Sequence, residues 1–577
     1  MGKSDIVLVF PPQWELRYPH LALPSLTAWL DTQGWKVKQY DGNLWFLYEL
    51  LSAETLKHFG EQLKDKEFGT TASQEKAALY LTMLDAIISR VNNIFERNIK
   101  GEGLEDMDLV YLKLALDLVS SVFSPTEIDL YNCKMPYSPQ SVGEILQAAK
   151  DSSCNPFYSV FEERIIPQLL ETDPQVAGIS VTATTQLIPA VTLATLLRAK
   201  APHLHITLGG NILSRFADEP SKFARLFTLV DSIVLFDGEP ALPVLLDRLE
   251  TGQPLEEVPN LVTCHEGRVH RSPHTVFVDV NALPAPSFRG LDLERYFFPQ
   301  PVLSLLSGRG CYWHRCAFCV IPHGYGRTYR ARSIDQIVED LEVLTTTYKV
   351  RVVHFPDESI APGRLDKLCD AILQRGLDIL WMTFARTDPG FTPELCSKLY
   401  RAGCRVLAFG LESGCQRVLD FMNKGTTVDT ASRTLRNSSQ AGIWNHVSFF
   451  FGFPTETREE AQKTIQFVLE NRDVIDSVSD SVFMLDYQSS VYCDPERYGV
   501  TRIYSPSQGE LTLTFDYEVL EGMIHEEAQK VYEEFQGLKK KYHLGTSLEA
   551  SIDRIISQET SRFNKTEKEI KSPAENP

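Results

Sequence analysis

Short apolar, β-branched runs alternate with helical stretches along most of this chain, and that alternation limits what it can fold into. The run "DIVLVF" (5–10) is continuously apolar after Asp5 and stops at Pro11-Pro12, the pattern of a strand buried on both faces of a parallel sheet. "WKVKQYD" (35–41), "VAGISVT" (176–182), "HITLGG" (205–210) and "SIVLFDG" (232–238) are further strand candidates, with apolar helical segments between them. Parallel neighbours must be joined by crossovers long enough to hold a helix, so residues 1–250 are expected to form a doubly wound α/β domain. Residues 46–168 break the pattern. They are rich in Leu, Glu, Lys and Ala, with Leu109, Leu112, Leu116 and Val119 at helical spacing, and predict a helical insertion after the second strand.

A second alternating series begins at residue 301, after a proline-rich linker (251–300) with a small hairpin near "LVTCHEGRVHRS". Its strand candidates are "VLSLLS" (302–307), "VRVVHF" (350–355), "ILWMTFA" (379–385), "RVLAFG" (405–410), "NHVSFFFG" (445–452) and "SVFMLDY" (481–487). Ser333 with Gln336, and Thr457 with Glu460, read as capping boxes that open helices. Six β/α units over residues 301–490 predict a (β/α)6 partial TIM barrel, with ligand-facing loops at the carboxyl ends of its strands. Residues 491–561 read as helical and 562–577 as a disordered tail.

The formal net charge of −19 disfavours a nucleic-acid-binding face, which needs a surplus of Lys and Arg. No apolar run reaches the roughly 18 residues of a membrane span, and the start "MGKSDIVLVFPP" lacks a secretory pattern. A cytoplasmic protein is expected. Eleven cysteines without a regular framework suit reduced thiols.

Three of those cysteines, Cys311, Cys316 and Cys319, follow the first strand of the second series in "GRGCYWHRCAFC". Thiolates are soft donors that select zinc, copper(I) or iron–sulfur clusters. Three thiolates suit a cubane that leaves its fourth iron open to a ligand. The spacing fits equally a zinc knuckle completed by His314 or His323, or buried cysteines. The later strand ends carry polar groups toward the same side: Asp357 and Glu358 in "FPDES", Arg386 in "FARTD", Glu412 and Ser413 in "FGLESG", and Gly452, Pro454 and Glu456 in "FFFGFPTE".

Taken together, these motifs over most of residues 300–490 resemble the radical S-adenosylmethionine (SAM) superfamily. The resemblance implies that Cys311, Cys316 and Cys319 bind a [4Fe-4S] cluster and that SAM chelates the fourth iron. It implies that Phe318 lies beside the adenine, Asp357 and Glu358 meet the SAM amine, Arg386 meets its carboxylate, and Glu412 bonds the ribose. The "GFPTE" turn, with Gly452 and Pro454, is similar to the motif that supports the adenine. The chain departs from the usual Cys-x3-Cys-x2-Cys spacing by one added residue within Tyr312–Arg315, which predicts a wider loop.

The first domain has no GxGxxG fingerprint, which argues against a dinucleotide. A Rossmann-like domain of this kind ahead of the barrel resembles the cobalamin-dependent branch, that of the class B methyltransferases. By that resemblance Thr182, Ala183, Thr184, Gly209, Gly210, Gly238 and Glu239 line cobalamin. No Asp-x-His-x-x-Gly occurs, so the cobalt is expected to lack a lower histidine ligand. The family chemistry implied is methylation of an unactivated carbon through a 5′-deoxyadenosyl radical and methylcobalamin. A small-molecule or peptide substrate and an electron donor such as flavodoxin or ferredoxin are the expected partners. Two rivals remain: a rearrangement, cyclisation or oxidation without methyl transfer, and a zinc-stabilised binding protein without turnover.

Overall fold

The computed structural model describes residues 4–298, 300–505 and 509–545. The chain divides into two compact units, one of residues 1–301 with 323–326 and 506–513, the other of 302–322, 327–505 and the chain from 514 onward. Among the described residues no helix is long and apolar enough to cross a membrane.

Unit 1 is built on a seven-stranded sheet of β1 (Ile6–Phe10), β2 (Val37–Asp41), β3 (Val176–Ser180), β4 (His205–Gly209), β5 (Ser232–Val234), β6 (Leu261–His265) and β7 (Arg268–Arg271), in the order β2-β1-β3-β4-β5-β6-β7. The first five strands are parallel. Every residue of β1 is buried, as its unbroken apolar run requires. The sheet reverses its winding between β1 and β3, the switch point at which doubly wound sheets open a crevice.

The hairpin expected inside a linker does form, but it belongs to the sheet. β6 pairs antiparallel with β5, and β7 with β6. The turn residues Glu266 and Gly267 both have positive φ, 49° and 75°, as a tight two-residue hairpin loop demands. The edge of β5 would otherwise expose its backbone groups, and the hairpin pairs them.

The insertion is helical through Gly42–Leu50, Ala53–Asp65, Thr71–Ile99 and Asp106–Val122. It also holds a two-stranded piece, Glu127–Ile128 with Cys133–Lys134, which the composition did not suggest. Of the apolar row read from the sequence, Leu112, Leu116 and Val119 are buried while Leu109 is 47% exposed.

Unit 2 is an open, all-parallel sheet of β8 (Val302–Ser304), β9 (Val352–Phe355), β10 (Leu380–Arg386), β11 (Cys404–Glu412), β12 (Trp444–Phe451) and β13 (Ser477–Val482) in sequential order. This is the partial barrel expected. Its last strand lies earlier than the apolar run at 481–487. The polar stretch "SVSDSV" forms it because its side chains find partners: His446 of β12 bonds the hydroxyls of Ser477 (2.8 Å) and Ser479 (3.0 Å), and Lys539 pairs with Asp480 (2.6 Å). Leu485–Asp486 instead pairs antiparallel with Thr514–Phe515.

Among the described residues after 490 the chain is less helical than its composition predicts, and 546–561 of the expected helical region lie outside the described residues. Tyr517–Val519 pairs with Val500–Ile503, and the long helix is confined to His525–Lys541. That helix buries Val531 and Phe535, and Phe535 meets Phe449 and Phe451 of β12 with ring centroids 5.2 and 6.0 Å apart. The expected tail at 562–577 lies outside the described residues. Thr457 and Glu460 make a reciprocal capping box, whereas Ser333 caps through its own hydroxyl and the Gln336 amide turns to Asp340.

Candidate active site

The three-cysteine loop leaves β8 through Ser307 and Gly308. Gly308–Arg309 pairs antiparallel with Arg330–Ala331, which ties the two ends of the loop together. Gly310 follows with φ 85°, and an added Cβ would lie 2.6 Å from the Thr328 carbonyl oxygen. Asp357 anchors this base: its buried carboxylate accepts from Ser307 N (2.9 Å), Ser307 Oγ (2.6 Å) and Gly308 N.

Cys311, Cys316 and Cys319 are partly exposed and near enough for each of the other two sulfurs to act electrostatically on the Cys319 thiol. Burial pushes Cys319 up to about 12. It also raises Cys316, against the opposing pull of Lys424 and Arg386. Desolvated thiols hold their protons until a metal displaces them. The guanidinium of Arg386 donates to Cys316 Sγ at 3.7 Å and to the Lys424 carbonyl, so cations stand ready to balance thiolate charge. Among the described residues no three His, Cys, Asp or Glu side chains close around a single ion. His314 is exposed. A cubane, by contrast, takes each thiolate on a separate iron. Soft donors with cationic neighbours fit such a cluster.

Around the loop, Glu412 sits at φ 67° in a bulge of β11 and pairs with Lys424 at 2.7 Å. Gly410 leaves room for this pair, since a Cβ there would lie 2.5 Å from Glu412 Oε1. Glu358 makes no hydrogen bond among the described residues; burial first, and Asp357 second, push it up to about 7. Gly452 has φ 83°, and its N–H donates to Glu456 Oε2 at 2.6 Å. Glu456 is 1% exposed, its Oε1 has no partner among the described residues, and burial pushes it up to about 8. Phe318 meets Phe450 edge to face at 5.2 Å.

In unit 1 the segments that follow β1 and β3 are tied together by a residue the sequence did not single out. The Gln186 side chain accepts from Thr182 N (2.8 Å) and Ala183 N (3.1 Å) and donates to the Pro11 carbonyl (2.7 Å). Thr184 opens a short 3-10 turn. Gly210 follows Gly209 with φ 115°, and an added Cβ would fall 2.1 Å from the Val181 carbonyl oxygen. Gly238 is partly exposed.

Residues 305–468 match the family described as the radical SAM superfamily. Those residues form a radical SAM segment within the chain. An uncharacterized methyltransferase of Pyrococcus horikoshii is 28% identical over 299 residues, 51% of this chain and 64% of that relative. This chain therefore spans just under two thirds of that relative's length. Two solved structures share the fold at 17% identity. The cobalamin-dependent SAM radical enzyme OxsB, with aqua-cobalamin and SAM bound, has TM-score 0.60 over 94% of this chain and 72% of its own. The radical SAM methyltransferase TsrM from Kitasatospora setae, with cobalamin and a [4Fe-4S] cluster bound, has TM-score 0.56 over 88% and 81%.

Within the radical SAM segment, the residues read from the sequence divide by what already occupies them. Glu358, Phe318 and the cysteines stay partly open. Asp357 of the expected acidic pair accepts from Ser307 and Gly308, whereas Glu358 has no hydrogen bond among the described residues. Ser413 is wholly buried, its hydroxyl on Thr464 and the Cys415 N–H, and faces the helix Arg458–Glu470 instead of the opening. Glu239 of unit 1, expected on the open surface, is 2% exposed, and its carbonyl accepts from Trp29 Nε1 at 2.7 Å. Lys424 and Trp313 were missed. A single lysine in "MNKGTT" carries no periodic signal, and its proximity to Glu412 exists only once β11 and the following turn have folded.

Proposed function

We propose that this radical SAM enzyme is cobalamin-dependent and methylates an unactivated carbon of a small-molecule or peptide substrate. The observation that carries the reading is a loop of three cysteines at the carboxyl end of the first strand of a parallel partial barrel, with Arg386 and Lys424 beside its middle thiol. Cys311, Cys316 and Cys319 would hold the cluster, and Glu358, Phe318, Glu412 and the Gly452–Pro454 turn would receive SAM. Thr182, Ala183, Thr184, Gly209, Gly210 and Gly238, at the strand ends of unit 1, would approach cobalamin. When bound, the cluster and SAM supply one-electron radical chemistry, and cobalamin supplies a transferable methyl group.

The chain's own contribution is orientation. Asp357 fixes the base of the cysteine loop through Ser307 and Gly308. Glu456 fixes the Gly452 turn by accepting its N–H, and the Gly452 carbonyl is in turn held by the Tyr517 hydroxyl at 3.3 Å. Glu358, poised near neutrality, suits a carboxyl that meets an ammonium group: arrival of the cation draws its proton off and converts a buried acid into an ion-pair partner. The buried Glu412–Lys424 pair keeps one carboxylate rigid beside the cysteines, where its second oxygen can accept from a hydroxyl. The likeness to OxsB and TsrM in fold, and the methyltransferase name of the Pyrococcus relative, support this reading.

The test is anaerobic reconstitution with iron, sulfide and cobalamin, followed by mass spectrometry of the products from SAM. S-adenosylhomocysteine together with 5′-deoxyadenosine is expected. Deoxyadenosine alone would point to a non-methylating reaction. Cys316→Ala should lose the iron and both products; zinc near one per chain without iron would defeat the proposal.

A further inference from the structure

The loop from Cys311 to Cys316 is one residue wider than its family's, and its side chains seat it on the end of β10 and the turn after residue 421. Tyr312 Oη donates to Asp388 at 3.3 Å. Trp313 Nε1 donates to the Asn423 carbonyl at 2.9 Å, and Ala317 N to the Met422 carbonyl at 2.8 Å. Gly425 accepts the indole, since a Cβ there would fall 2.0 Å from Trp313 Cζ2. Between loop and turn lies Arg386, 6% exposed. The Trp313 ring centroid is 4.5 Å from its guanidinium carbon, one amino group donates to the Lys424 carbonyl, and the other to Cys316 Sγ at 3.7 Å.

We infer that Arg386 is a positioning residue for the cluster: it donates a charge-assisted hydrogen bond to the Cys316 thiolate and raises the potential at which the cluster accepts its electron, while the wide loop roofs it with Trp313. The inference rests on the cysteines being cluster ligands. A carboxylate ligand of SAM would take two nitrogens of one guanidinium edge, but both terminal nitrogens here are engaged, one on the Lys424 carbonyl and one on the sulfur, the indole lies over the ring face, and Nε is buried without a partner among the described residues. A hydrogen bond from a cation to a ligating sulfur stabilises the more negative, reduced cluster, and it acts more strongly in a partly desolvated site.

The experiment is a potentiometric titration of the anaerobically reconstituted holoenzyme without SAM, followed by electron paramagnetic resonance. Arg386→Gln is expected to lower the reduced fraction at a fixed potential about tenfold, about 59 mV for a one-electron couple. Arg386→Lys, which keeps the charge and loses the fork, should fall between. Lys398→Gln, which removes a cation paired with Asp366 and Asp370 on the helix side, should leave the potential unchanged. Equal potentials in wild type and the Arg386 variants would overturn the inference. So would a fall in SAM affinity with the potential unmoved, the signature of a carboxylate ligand. Should Arg386→Gln fail to retain iron, Arg386→Lys decides alone: a lowered potential supports the inference and a wild-type potential refutes it. Absence of iron from the wild type would defeat the cluster assignment itself, a different failure.

Discussion

Glu456→Gln isolates the cost of a buried carboxylate. The side chain is 1% exposed and accepts the Gly452 N–H on Oε2 at 2.6 Å, while Oε1 has no partner among the described residues. Burial therefore penalises the charged form and pushes the group from an ordinary 4.5 up to about 8. A folded-state value above the unfolded one means that the folded protein binds this proton more tightly. The resulting stability is complete below about pH 4.5 and is lost as pH rises through about 8. Each tenfold difference in proton affinity is worth about 1.4 kcal/mol, so the loss approaches about 5 kcal/mol. Glutamine can still accept from Gly452 N but cannot ionise. Denaturant unfolding of the apoprotein at pH 5, 7 and 9 should show the variant gaining on wild type as pH rises, by up to a few kcal/mol at pH 9. Parallel stability profiles across that range would refute the reasoning, because they would mean that the carboxylate is solvated or paired. Comparing variant with wild type cancels Asp357 and Glu358, which burial raises in the same direction.

Gly452→Ala should destabilise unit 2 by about 2–4 kcal/mol, combining left-handed backbone cost with a Cβ placed 2.5 Å from Ala528 Cβ; thermal unfolding checks it, and a shift of Tm no larger than that of an exposed Gly363→Ala would contradict it. Lys424→Met should cost about 3–5 kcal/mol by leaving the Glu412 carboxylate buried beside a vanished partner, and Lys424→Met with Glu412→Gln should recover a substantial part, as a double-mutant cycle in urea would show.

Much of the architecture was legible because parallel strands buried on both faces write themselves as unbroken apolar runs. β1, β8 and β9 fall within the runs read for them. β13 did not, since its Ser477, Ser479 and Asp480 are satisfied by His446 and Lys539, groups remote in sequence. Likewise "YEV" at 517–519 is a strand because Val500–Ile503 offers it an edge, not because of its own composition.

The sequence by itself determined the chemistry available: three soft thiols in one loop, carboxylates and an arginine at successive strand ends, and a glycine before "FPTE". Only the tertiary structure decided which of those groups remain free. Asp357 and Ser413 are consumed by hydrogen bonds inside the scaffold, Glu412 is paired with Lys424, and Arg386 is turned onto Cys316 beneath Trp313. The reason is physical. A side chain's type fixes what it can donate or accept, but desolvation and neighbouring charge fix its protonation and its partner, and both arise only when segments distant along the chain pack together.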